Sequence, residues 1–200
     1  MYKRQILADG DFPSHPLALE WLRQCPYVVC CDGAANTYIR SGRMPEAIVG
    51  DGDSLLPDIK ERYASLIHSE AEQETNDLSK AFRFCLSQER KRITIMGATG
   101  KREDHTIGNV SLLADYMEQA EVSMMTDYGI FVPIREDSMF ESYIGQQISV
   151  FNMNSTALSA EGLAYPLSVF TNWWQGTLNE ALARHFIIRT EGKVLVFRVF

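Results

Sequence analysis

No C-x-x-C pair accompanies the four cysteines, Cys25, Cys30, Cys31 and Cys85, and no histidine stands near them at zinc-finger spacing. Reduced, mostly buried thiols are therefore expected. No run of about 18 apolar residues occurs, and the opening residues Met1 to Asp9 lack the apolar stretch of a signal peptide, which makes the cytoplasm the default expectation. Excess basic charge is also missing: the formal net charge is -7. Phosphate backbones are gripped by clustered Lys and Arg, so a broad nucleic-acid footprint is disfavoured and an anionic substrate would need a local device such as a metal. There is no internal repeat and no low-complexity segment. What the chain does have is 200 residues with 46% hydrophobic and 22% charged content, enough to bury a sizeable core.

The first two thirds alternate short β-branched or apolar runs with amphipathic stretches, the rhythm of βαβ units on a mostly parallel sheet. Strands are expected at 5–8, 27–31, 47–49, 66–67, 93–96 and 122–126, and helices at 16–24, 34–41, 57–64, 77–88 and 105–119. In the fourth helix, Leu78, Ala81, Phe82 and Cys85 recur at helical spacing. After about Pro133 the pattern changes to short alternating runs, 139–144, 147–151, 157–160, 185–189 and 194–199, separated by Gly, Asn and Ser turns. The expected organisation is a Rossmann-like α/β domain over 1–133, followed by a small antiparallel β-sandwich or barrel over 134–200. Glu191-Gly192-Lys193 reads as a hairpin turn joining the last two strands.

Four polar segments each follow a strand. In Gly50-Asp51-Gly52-Asp53-Ser54, a strand ends in two carboxylates separated by a glycine that permits a turn. Such carboxylates can converge on a hard cation like magnesium, which keeps positions for waters and phosphates. The plainer reading is a polar turn with Ser54 capping the next helix. An EF-hand is excluded, because Leu55 and Leu56 stand where an oxygen ligand and a glycine are required. A phosphatase nucleophile would want Thr or Val at Leu55, whereas a metal-binding glycosyltransferase D-x-D survives. Asp32-Gly33-Ala34-Ala35-Asn36 opens either a phosphate- or ribose-binding turn or an ordinary Asp-capped helix. Asn76 or Asp77 is a ready N-cap. Gly97 to His105 gathers two cations, two carboxylates and an imidazole, but is no Walker A loop, since Gly100 follows Gly97 too closely and Arg102 replaces the Ser/Thr. The common position of these segments is what argues for a shared site, because loops after parallel strands meet at one sheet edge.

Taken in order, Asp32-Gly33-Ala34-Ala35-Asn36, Gly50-Asp51-Gly52-Asp53-Ser54, Asn76-Asp77, Gly100-Lys101-Arg102-Glu103-Asp104-His105 with Asn109, and Glu161-Gly162-Leu163 resemble the thiamine pyrophosphokinase family over nearly the whole chain. The resemblance implies an ATP-dependent diphosphotransferase that moves the β,γ-diphosphate of ATP to the hydroxyethyl oxygen of thiamine, giving thiamine diphosphate and AMP. It further implies that Asp51, Asp53 and Asp77 surround magnesium and the triphosphate. Gln73, Arg102, Asp104 and His105 would line the phosphate region, while Asp32, Gly33, Asn36 and Asn109 would help seat the nucleotide. The base for the thiamine hydroxyl stays open among Asp51, Asp77 and Asp104.

The sequence departs from the family pattern at three places. Lys101 stands at the middle glycine of the Gly-Gly-Arg-x-Asp-His segment, Gly52 replaces a bulky residue, and Gly176-Thr177-Leu178-Asn179 loses one hydroxyl of a Gly-Thr-Ser-Asn element while keeping the Asn179 amide for thiamine. The family resemblance also implies a homodimer with the thiamine site at the subunit interface, where Trp173 and Trp174 are candidates for the wall; both equally suit β-domain or interface packing. Two other functions remain open: a diphosphokinase of the same fold acting on a pterin alcohol, and a nucleotide- or thiamine-binding sensor.

Overall fold

The computed structural model describes residues 4–70, 72 and 74–200 and divides into two compact units, Met1–Leu112 with Gln119–Asp127, and Leu113–Glu118 with Tyr128–Phe200. In the first unit, strands β1 (Arg4–Leu7), β2 (Val28–Cys31), β3 (Ala47–Gly50), β4 (Ile67–Ser69), β5 (Arg92–Met96) and β6 (Glu121–Met125) lie in the order β6-β5-β1-β2-β3-β4, and every pairing is parallel. β2 and β3 are buried at every position, as strands covered on both faces must be, which explains their unbroken apolar sequences.

Helices α1 (Pro16–Gln24), α2 (Ala34–Arg40), α3 (Pro57–Arg62), α4 (Asp77–Ser87) and α5 (Glu103–Ser111) connect these strands. Pro sits in the first turn of α1 and α3, where its missing N–H leaves no bond unmade. The α4 stripe read from the sequence is the buried one: Leu78, Ala81, Phe82 and Cys85. Phe82 is 1% exposed, and removing such a side chain from water contributes about 1.5–3 kcal/mol.

Two expectations change here. Leu66 belongs to a 3-10 turn, Ala64–Leu66, so the fourth strand starts one residue later. The helix expected over 105–119 begins at Glu103 and ends at Ser111, and Leu113–Tyr116 forms a separate short helix, α6, assigned to the second unit. Leu113 and Tyr116 are both buried whereas α5 buries no residue, so the apolar spacing expected over the whole stretch holds only in α6.

The second unit holds two antiparallel sheets. One runs β11 (Asn179–Glu180), β9 (Gln147–Asn152), β13 (Val194–Val199), β7 (Gly129–Ile134); the other runs β10 (Leu158–Glu161), β12 (His185–Thr190), β8 (Ser138–Glu141). Phe140, Phe186, Ile188, Ile148, Val150 and Val196 pack into one core drawn from both sheets, a sandwich rather than a closed barrel. β7 is not among the expected strands, since the sequence pattern changes at about Pro133; Pro133 lies within the strand and pairs with Leu195. Consequently the main span of the second unit starts at Tyr128 rather than just past Pro133. Glu191-Gly192-Lys193 is not a hairpin: β12 and β13 belong to different sheets, so the turn carries the chain from one layer to the other.

Candidate active site

In the first unit the chain steps from β1 outward through β2, β3 and β4, then returns to place β5 on the other side of β1. Loops after β1 and β5 therefore diverge, and a crevice opens at the strand carboxyl ends, where open α/β sheets place ligands. A cavity of about 330 Å³ occurs there. Its walls come from Asp9 and Gly10 after β1, Asp32 and Gly33 after β2, Asn76 and Asp77 at the start of α4, and Lys101, Arg102, His105 and Asn109 around the start of α5.

Asp32 is the centre of the acidic side. It is 4% exposed, with φ +32°, outside the ordinary range of a non-glycine residue. Its Oδ2 accepts the Ser54 N–H at 3.0 Å, and its buried Oδ1 has no hydrogen-bond partner. Burial lifts the Asp32 carboxyl above the usual carboxylate range, and the charges of Asp77 and Asp51 push the same way against the Ser54 hydrogen bonds. Gly50 is required beside it, because a Cβ there would stand 2.8 Å from the Asp32 Cβ.

The loop after β3 is held from several sides. Asp51 Oδ1 accepts the Asp53 N–H at 3.0 Å, Lys60 Nζ donates to the Gly52 carbonyl at 2.9 Å, and Gly52 takes φ +77°, the left-handed turn its sequence position permits. Asn36 Nδ2 donates to the Ser54 carbonyl at 2.8 Å, and its Oδ1 accepts the Leu56 N–H at 3.0 Å. Ser54 therefore does not cap α3: the cap position is Leu56, without a side-chain bond.

Asp77 opens α4 with Asn76 as the cap, whose Oδ1 accepts the Ser79 N–H at 2.9 Å. Lys80, nearly buried, pairs with Asp77 Oδ1 at 3.1 Å. Asn109 braces the two helix starts, accepting from Asn76 at 3.2 Å and donating to the Ala98 carbonyl at 2.8 Å. Arg102 forks onto Asp104 through bonds of 3.1 and 2.6 Å, and that hydrogen-bonded pairing holds the Asp104 carboxyl below the usual carboxylate range.

Of the residues singled out in the sequence, Asp32, Gly33, Asp77, Arg102, His105 and Asn109 line the cavity together. Asn36, Asp51, Asp53 and Asp104 do not; Asn36 and Asp104 instead hold the Ser54 carbonyl and the Arg102 guanidinium. Gln73 lies outside the described residues. Asp51, Asp53 and Asp77 are not drawn into a three-carboxylate cluster, since among the described residues no three His, Cys, Asp or Glu side chains converge to hold a metal. Asp32 nonetheless keeps a buried oxygen without a partner, in the combined field of Asp51 and Asp77.

Asn179 belongs to the second unit and is buried. Its amide bridges Tyr165, donating to the carbonyl at 2.8 Å and accepting the N–H at 3.0 Å, and its Oδ1 also accepts the Glu180 N–H at 2.9 Å. Trp173 meets Phe151 edge-on at 6.1 Å between centroids, whereas Trp174 is 73% exposed and is no core residue. No disulfide joins the four cysteines, and burial pushes Cys85 up to about 12 and Cys31 well above its usual value, which keeps these two thiols protonated. Asp9, Gly10 and Lys80 escaped the sequence reading. Asp9-Gly10 follows β1 as Asp32-Gly33 follows β2, and that repeated pattern was the available signal.

Residues 18–125 match the family described as thiamin pyrophosphokinase, catalytic domain, and residues 129–197 match thiamin pyrophosphokinase, substrate-binding domain. Thiamine pyrophosphokinase 1 of Oryza sativa subsp. japonica is 30% identical over 129 residues, 52% of this chain and 49% of that protein. The chain spans about half the length of the curated relatives it matches. The crystal structure of thiamine pyrophosphokinase from Bacillus subtilis has a TM-score of 0.84 at 21% identity, covering 98% of both chains. That of thiamin pyrophosphokinase from Geobacillus thermodenitrificans has a TM-score of 0.80 at 22% identity, covering 99% of this chain and 97% of its own. At these identities the structural likeness concerns the fold. Among the described residues, no helix is long and apolar enough to cross a membrane.

Proposed function

The chain belongs to the thiamin pyrophosphokinase family, and from that membership we propose that it transfers the β,γ-diphosphate of ATP to the hydroxyethyl oxygen of thiamine, producing thiamine diphosphate and AMP. The observation that carries the reading is the cavity at the β1/β5 switch point, where Asp32 and Asp77 face Lys101, Arg102 and His105. Carboxylates on one side and cations on the other suit a polyphosphate accompanied by a divalent metal.

Phosphoryl-type transfer is mainly alignment together with neutralisation of charge on nonbridging oxygens. Arg102 offers a planar fork of donors for those oxygens, and its pairing with Asp104 fixes the direction of the fork. The starts of α4 and α5 add unpaired N–H groups and the positive end of each helix dipole. Asp32 and Asp77, which line the cavity, with Asp51 and Asp53 on the adjoining loop, are the carboxylates that would hold magnesium, and the ion would supply charge neutralisation to the triphosphate. Asp51 or Asp77 is the candidate to accept the proton of the thiamine hydroxyl, Asp104 being engaged by Arg102.

Thiamine binding belongs to the second unit in this reading, consistent with its match to the substrate-binding domain. A homodimer is part of the same proposal: Trp174, Leu178 and Tyr165 are exposed apolar side chains in that unit, the residue types a partner surface covers. Cytoplasmic location completes it. The test is to incubate the purified chain with ATP, magnesium and thiamine and to separate the products. AMP together with thiamine diphosphate is expected; ADP, or no product, overturns the assignment. A pterin alcohol run in parallel distinguishes the other acceptor.

A further inference from the structure

We propose that Lys101 is a phosphate contact of the cavity, its ammonium exchanging the bonds to Asp9 for the nucleotide polyphosphate; the inference rests on the nucleotide reading above. Lys101 Nζ donates to the Asp9 carbonyl at 2.9 Å and to Asp9 Oδ1 at 3.1 Å. Both residues line the cavity, and the pair spans the switch-point crevice between the loops after β1 and β5.

The lysine is held there by its backbone. Lys101 has φ +54°, a left-handed conformation that favours glycine and that a long side chain adopts only under constraint. The constraint is a zipper between the two loops, in which Ala8 N–H donates to Met96, Gly10 N–H to Gly97 and Asp11 N–H to Thr99 at 2.8, 2.6 and 2.8 Å. Gly10 and Gly100 permit the approach, since a Cβ on the first would strike the Thr99 carbonyl and on the second the Asp11 carboxylate. The zipper ends at Thr99, two residues before Lys101, and sets where the turn that carries the lysine begins. A residue that is strained, cationic and directed across a ligand cavity is better explained by ligand binding than by folding.

Charge and strength point the same way. Lys101 and Arg102 are the two Lys or Arg residues lining the cavity, and Arg102 is already forked onto Asp104. The Lys101–Asp9 pair is about half exposed on both sides, 53% and 48%, so its net contribution is small and it exchanges readily. A phosphate oxygen offers the ammonium a stronger charge-assisted bond, and the flexible stem lets it move.

The experiment measures binding of magnesium ATP by calorimetry to the wild-type chain and to Lys101→Met, Lys101→Gly and Asp9→Asn, with thermal melting of each. Lys101→Met is expected to weaken binding about tenfold. Lys101→Gly should weaken it similarly while melting at or above the wild-type temperature, because glycine accepts the left-handed backbone. Asp9→Asn should tighten binding severalfold, by releasing the ammonium. A purely structural latch predicts instead that Lys101→Met and Asp9→Asn lower the melting temperature together and shift binding in the same direction, and that result overturns the proposal. Wild-type affinity in Lys101→Met also overturns it, leaving the nucleotide reading intact. Failure of the wild-type chain to bind magnesium ATP removes the nucleotide reading itself, and this inference with it.

Discussion

Ser54 donates its backbone N–H to Asp32 Oδ2 at 3.0 Å, tying the loop after β3 to the end of β2 and leaving the second Asp32 oxygen buried without a partner. One loop is thereby positioned by a carboxylate whose own burial is unfavourable. Such a group is retained for binding rather than for stability.

The Asp32 carboxyl sits above its usual range in the fold, through burial first and the neighbouring Asp77 and Asp51 charges next. In the unfolded chain it returns to the ordinary value. Its contribution to stability is therefore fully present below the unfolded value, about pH 4, and is lost as pH rises through the folded value. Asp32→Asn keeps an acceptor for Ser54 and removes the charge. At neutral pH it should stabilise the fold by about 1–2 kcal/mol, the scale of one badly paired buried group, and diphosphate transfer should fall at least about a hundredfold. Denaturant titrations across the mildly acidic range check the first part; a variant less stable at every pH contradicts it.

Lys80 is nearly buried and meets Asp77, whose side chain is 34% exposed, at 3.1 Å. Lys80→Met leaves that carboxylate facing Asp32 and Asp51 unneutralised. After discounting for the solvent that reaches Asp77, the loss should be about 2 kcal/mol. Adding Asp77→Asn should restore part of it, and the double-mutant cycle measures the coupling. Additive effects would show that the two groups do not interact.

Asn36 joins Ser54 and Leu56 through two hydrogen bonds, so it acts on the Asp51–Asp53 turn from a distance. Asn36→Ala should destabilise by about 1–2 kcal/mol and shift the magnesium requirement of the reaction to higher concentration. An unchanged metal titration with normal turnover would separate Asn36 from that turn.

Asn179 makes three bonds to backbone in the second unit. Its replacement by Ala should lower stability by about 1–2 kcal/mol with or without thiamine, since the Tyr165 N–H and C=O and the Glu180 N–H lose their partner. Loss of thiamine affinity at full thermal stability would instead make Asn179 a direct ligand contact.

Much of the architecture was legible in the sequence because it is governed by period and punctuation. Buried strands β2 and β3 are continuous apolar runs, and the α4 stripe repeats at helical spacing, so each element identifies itself locally. Where local signals conflicted with pairing partners, the reading failed: Pro133 marks a break yet lies within β7, and Gly192 marks a hairpin yet joins strands of different sheets. Pairing is a long-range property, and no window of neighbouring residues contains it.

The candidate site divides in the same way. Sequence alone determined that several polar loops follow strands of one parallel series, because a parallel connection returns each strand end to the same edge of the sheet. Tertiary structure decided which side chains face the cavity. It turned Asp104 onto Arg102, assigned Asn36 to the Ser54 loop, brought Asp9 against Lys101, and buried one oxygen of Asp32 without a partner. Those outcomes depend on distances between residues as far apart in the chain as Asp9 and Lys101, which the order of residues along the backbone does not specify.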